Sequence, residues 1–102
     1  MHEPAEIEIR VTRISPSLES LMYAAIELQL SNRGTVAQRV LRYRLRWPGG
    51  TVEFSPERLV LRPGERIVRS VRVQPTTAGF DTLLDMDAQS VDATIEKVDG
   101  AH

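Results

Sequence analysis

The sequence predicts an all-β protein, an antiparallel sandwich of about seven strands in one domain. Three observations carry that prediction. Apolar and polar residues alternate with period two along most of the chain, as half-buried strands require. Turn signals built on Gly, Pro and Asn interrupt the alternation about every ten residues. The 102 residues are the commonest length for a single core. The domain therefore covers 1–102, with a core over about 5–98 and frayed ends.

The elements follow in order. "EIEIRVTRI" sets Ile7, Ile9 and Val11 against Glu6, Glu8 and Arg10. "SPSLESLMYAA" offers Ser15 or Ser17 as a cap for one helical turn, so a loop or a short helix is expected there. "YAAIELQLSN" sets Ile26, Leu28 and Leu30 against Glu27 and Gln29. "NRG" at Asn32 to Gly34 then supplies residues that tolerate positive φ, and a turn belongs there.

"QRVLRYRLRWP" has the clearest strand pattern in the chain. Leu41, Tyr43, Leu45 and Trp47 share one face, while Arg42, Arg44 and Arg46 share the other. Pro48 and Gly49-Gly50 end it, because proline cannot donate to a ladder and glycine favours a turn. A short strand through Val52 and Phe54 follows, and Ser55-Pro56 breaks it. Leu59 to Leu61 form a buried segment, and Pro63-Gly64 suits the two central positions of a type II turn. "ERIVRSVRV" is then a strand with Val71 and Val73 inward, and the misfit at Val68-Arg69 predicts a bulge or a change of face. "GFDTLLDMDA" and "SVDATIEKV" complete the set as two strands separated near Gln89-Ser90.

Composition excludes several classes. Apolar residues make up 41% and charged residues 26%, which suits a folded core and argues against general disorder. No apolar run approaches the about 20 residues a membrane helix needs, so no membrane span is expected, and no secretory leader is visible. The absence of cysteine removes disulfides, thiolate chemistry and Cys-based zinc sites. Net charge is −1 but unevenly spread. Residues 1–32 carry five Glu against two Arg, 33–72 carry ten Arg against three Glu, and 73–102 carry six acids against one Lys. The basic middle between acidic ends is the one compositional feature that calls for an explanation.

"IELQLSNRG", then "FSPERLVLRPGE", then an alternating strand resembles the PapD-like and major-sperm-protein-like branch of immunoglobulin-like sandwiches. Asn32, Phe54, Pro56, Leu61, Pro63 and Gly64 stand at that pattern's positions, with Pro56 nearer to Phe54 than the pattern has it. "LRYRLRWPGG" followed by "LRPGE" also resembles small bacterial lipoproteins with an immunoglobulin-like domain. The likeness spans 24–74. It implies an immunoglobulin-like architecture and, more weakly, a bacterial, extracytoplasmic protein. Pilus chaperones of this type use two such domains, whereas this chain has one. Sperm-protein-like domains bind short peptides or polymerise.

Candidate sites are few. Arg42, Arg44 and Arg46 project from one strand at about 7 Å intervals. They form either a docking strip for an acidic partner or one side of cross-strand ion pairs with Asp81, Asp85 and Asp87, expected on the neighbouring strand. A pI near 6.1 and an aromatic share of 5% argue against nucleic acid. Asp81, Asp85, Asp87 and Asp92 could supply oxygens to calcium, but they lack the glycine-containing loop of a dedicated site. His2 and His102 stand at opposite ends and no interior histidine exists, so a Ser-His-Asp or histidine–metal arrangement has no foundation. Trp47 belongs to the core, and so few aromatics make a poor sugar platform.

The functional expectation is a non-enzymatic interaction module without a cofactor. It would bind a protein partner through an edge strand or through Arg42, Arg44 and Arg46. A calcium- or carbohydrate-binding domain and a self-associating structural domain are the alternatives.

Overall fold

The computed structural model describes residues 6–17 and 23–100. Seven strands form two antiparallel sheets: β1 (Ile7–Ser17), β2 (Tyr23–Asn32), β3 (Gln38–Trp47), β4 (Gly50–Phe54), β5 (Val60–Leu61), β6 (Arg66–Val73) and β7 (Asp92–Gly100). One sheet has the order β1-β2-β6. In the other, β3 is central, with β7 along one side and β4 and β5 in succession along the other. The architecture is an all-β sandwich. The helix-or-loop segment expected near Ser15 falls mainly on 18–22, outside the described residues, and its flanks are strand. Among the described residues no helix is long and apolar enough to cross a membrane.

The core follows from alternation. Ala24, Ile26, Leu28, Leu30 and Asn32 are all buried, while the residues between them are half-exposed. Facing them across the sandwich are Val40, Tyr43, Leu45 and Trp47 of β3. Each fully buried aliphatic side chain here contributes about 1.5–3 kcal/mol relative to exposure. Trp47 is 4% exposed, the core position expected of it.

Asn32 is the buried polar residue among these positions, 1% exposed, and its bonding is complete. Its amide nitrogen donates to the carbonyls of Val36 and Leu61, each at 2.9 Å, and its Oδ1 accepts from the Gly34 N–H at 2.8 Å. Its main-chain N–H donates to Glu65 O and its carbonyl accepts from Gly64 N–H. One side chain therefore holds the bend after β2, the short strand β5 and the entry to β6 together. No residue between Asn32 and Val36 has positive φ, so the expected left-handed residue at "NRG" is absent. The Asn32 side chain shapes the bend instead.

The turn at Pro63-Gly64 forms as expected, with Gly64 at φ 78° and Glu65 N–H bonded to Arg62 O at 3.0 Å. At the β3–β4 hairpin Gly49 takes φ 108°. A Cβ on Gly79 would lie 2.3 Å from the Gly49 carbonyl oxygen, so the loop before the helix can meet the hairpin only because Gly79 carries no side chain. The Trp47 indole N–H donates to Gly79 O at 2.9 Å across this contact.

Three expectations are corrected. "GFDTLLDMDA" is not a strand: Phe80–Leu84 is a short helix, α1, followed by a 3-10 turn at Ala88–Ser90. Phe80 and Leu83, three apart, bury together, which is helical spacing. The misfit at Val68-Arg69 is not a bulge, because β6 pairs with β2 in unbroken register from Val73 to Arg66. Val68 simply points outward, 64% exposed, and Arg69 takes an inward-facing position. The register shifts occur elsewhere, at Thr12 in β1 and, on either side of the Arg42–Lys97 pair, at Leu41 of β3 and Glu96 of β7. The shift at Leu41 also makes Val40, not Leu41, the fourth buried residue of β3.

Candidate functional site

Arg42, Arg44 and Arg46 do lie together on the outer face of β3, but they are not a free row. Arg44 Nη2 donates to Glu53 Oε1 at 2.9 Å and lies 2.8 Å from Glu96 Oε2. Arg42 Nε stands 3.6 Å from Glu96 Oε1. The partners are Glu53 of β4 and Glu96 of β7, on either side of β3. They are not Asp81, Asp85 and Asp87, because α1 and the 3-10 turn carry those residues away from the β3 ladder. Glu96 is the extra residue of the β7 register shift. Its side chain is 19% exposed, and its Oε1 accepts no hydrogen bond among the described residues.

The electrostatics agree with the geometry. The hydrogen bond from Arg44 holds the Glu53 carboxyl below its ordinary value of 4.5, with the contact to Glu96 adding to the effect. The bond to Glu53 and then the charge of Glu96 raise the Arg44 guanidinium further. Arg42 and Arg44 are thereby tied into the sheet. Arg46 lies opposite Asp92 in the register and, with Trp47, Thr51 and Ser90, lines a shallow groove of about 690 Å3 at the hairpin end.

A different concentration of basic charge lies on β6. Arg66, Arg69 and Arg72 fall on this strand. None has a carboxylate within ion-pair distance among the described residues. Arg72 sits over the Tyr23 ring, 4.7 Å from its centroid. Arg69 occupies the inward row with Ile67 and Val71, which are partly buried. Its charge acts on Tyr43: burial raises the Tyr43 phenol, and Arg69 partly offsets that. The Tyr43 ring stacks on Phe54 at 5.3 Å between centroids. A long arginine can hold such a position because its stem packs while its head reaches water.

Among the described residues strand β6 pairs with β2 alone. Successive residues of a strand direct their amides to opposite sides. Asn32 directs its N–H and C=O toward Glu65 and Gly64, so Leu30, Leu28, Ile26 and Ala24 bond in the same direction, to Ile67, Arg69, Val71 and Val73 in register. The main-chain groups of Arg66, Val68, Ser70 and Arg72 are therefore left on the free edge. Among the described residues the two sheets differ in how they meet at their sides. Strand β1 packs beside β7, whereas β6 and β4 make no comparable approach. A groove of about 660 Å3 lies near the β1–β7 side, lined in part by Ile9, Arg10, Ser31, Arg33 and Ile95. There Arg33 pairs with Glu8 at 3.1 Å and Arg10 donates to Gln29 at 3.0 Å.

Among the described residues no three of His, Cys, Asp and Glu are grouped to hold a metal ion. Fold and site together define a small β-sandwich with one laterally open, basic edge. No family model matches the chain, and neither a curated protein nor a solved structure matches it.

Proposed function

We propose that this protein is a non-enzymatic interaction module of immunoglobulin-like type that takes a protein partner along an edge strand, and that the edge is β6. One observation carries the reading: an eight-residue strand that, among the described residues, is paired on one side only, so its outward amides can extend the sheet. The arginine face of β3 is the weaker place for a partner, because Arg42 and Arg44 already have carboxylates. A partner's acid would have to displace Glu53 or Glu96 to reach them.

Affinity capture with three forms of the protein tests the choice. Ser70→Pro removes one outward N–H and leaves the β2 ladder intact, since proline is tolerated on an edge at such a position. Arg42→Glu with Arg44→Glu reverses the face. Retention by wild type and by the double variant, with loss in Ser70→Pro at unchanged melting temperature, is the expected result. Loss in the double variant alone moves the site to the face. A thermal-shift screen covers the ligand-binding alternatives, since a ligand at a hundred times its Kd stabilises by about 2.7 kcal/mol.

A further inference from the structure

Building on the edge-docking reading, we infer that the occupant of β6 is an extended segment of another protein bearing a carboxylate at an inward position, with apolar residues two places before and after it. The argument is geometric. A strand added to β6 would lie about 4.8 Å away and bond to the main chain of Arg66, Val68, Ser70 and Arg72. Its alternate side chains would turn inward beside Ile67, Arg69 and Val71, in the gap between β6 and β4. Partly buried Val52 and Phe54 of β4 belong to the same core as Ile67 and Val71. That row is apolar except for Arg69, whose guanidinium has no carboxylate within ion-pair distance among the described residues. Away from bulk water a charge-assisted hydrogen bond is stronger than its surface counterpart, so the central inward residue selects an acid. On the outer face Arg66 and Arg72 flank exposed Val68, which adds attraction for acidic outward residues at the ends of the segment.

The described residues do not supply this pattern to a second copy of the chain. Between positions 6 and 100, no Asp or Glu has a branched aliphatic or aromatic residue both two places before and two places after it. With no such segment among the described residues, the edge is assigned to a different protein.

The test uses a synthetic peptide, Thr-Val-Thr-Glu-Thr-Val-Thr with a fluorophore, and its partner in which Gln replaces the central Glu. Fluorescence anisotropy follows binding to the whole chain. The Glu peptide should bind roughly tenfold more tightly than the Gln peptide, a difference of about 1.4 kcal/mol. Arg69→Met, which keeps the stem, should abolish that preference, and Ser70→Pro should abolish binding of both. Equal affinity for the two peptides, with binding still lost in Ser70→Pro, overturns the carboxylate inference and leaves edge docking standing. Binding that survives Ser70→Pro overturns the edge itself. Absence of binding to either peptide overturns the inference, and edge docking is then judged by the capture experiment alone. If Arg69→Met self-associates in sedimentation while wild type stays monomeric and indifferent to the central acid, Arg69 guards the edge against pairing, and the inference fails.

Discussion

The row of Arg42, Arg44 and Arg46 on the outer face of β3 and the three arginines of the edge strand β6 are used in opposite ways. Arg42, Arg44 and Arg46 stand two residues apart in the middle of a sheet, with a strand on each side to supply carboxylates. Glu53 and Glu96 do so, and two of the three guanidiniums become cross-strand ties. On β6 the arginines stand three apart, so they fall on alternating faces, and among the described residues only one strand neighbours them. Among the described residues no carboxylate pairs with them. The same residue type is structural where the sheet continues and available where it stops. Charge counts along a sequence therefore say less about binding than the number of strands beside each charge.

The comparison can be broken most severely at its shared anchor. Asn32→Ala removes the side chain that joins the bend, β5 and the entry to β6, and it strands the buried carbonyl of Leu61 and the part-buried carbonyl of Val36. A loss on the order of 3 kcal/mol is expected in urea denaturation. Ser70→Pro should then show free-edge behaviour as unchanged, because its N–H has no partner. A loss comparable to that of Asn32→Ala would mean that β6 is paired on both sides.

The ion-pair cluster gives a smaller and pH-dependent signal. The Glu53 carboxyl is depressed in the folded state, so its contribution is present above its unfolded value near 4.5 and is lost as pH falls through the folded value. Wild type should therefore lose stability below about pH 4.5 through this group, and Arg44→Met should flatten that limb in melting curves taken against pH. Arg69→Met should leave the acid limb unaltered. An altered limb would place a carboxylate beside Arg69.

The finest probe is spectroscopic. Arg69 favours the ionised Tyr43 phenol, so Arg69→Met should raise the phenol further above its ordinary value of 10.0. Absorbance titration in a Tyr23→Phe background, where Tyr43 is the remaining tyrosine, reads this directly. The sign also bears on stability. A phenol raised in the folded state contributes fully below pH 10 and loses that contribution as pH rises toward the folded value.

What could be read from the sequence was whatever is local. Ile26, Leu28 and Leu30 alternate without exception, and Pro63-Gly64 names its own turn. What could not be read depended on neighbours distant in the chain. Arginines on a strand are expected to point outward, and that expectation turned Arg69 into an apparent bulge. Its inward position is acceptable only because β6 is an edge, which sequence alone does not reveal. The five residues of α1 are too few to establish a helical period, so Phe80 and Leu83 were absorbed into an alternating pattern. A strand over that segment would make Asp81, Asp85 and Asp87 the natural partners for the β3 arginines. Glu53 was already on the neighbouring hairpin strand and could have been found by pairing β3 with β4 across Pro48-Gly49. Glu96 could not, because its place depends on a register shift.

The contact between Trp47 and Gly79 has a practical consequence. The chain has one tryptophan, and its indole N–H is spent on a carbonyl belonging to the loop that leads into α1. Its fluorescence is therefore a built-in reporter for a single event, the seating of that loop on the β3–β4 hairpin. A red shift that precedes global unfolding would mean that the loop and α1 detach first, leaving the two sheets intact. A shift that coincides with loss of the sheets would mean that helix, loop and sandwich melt as one unit.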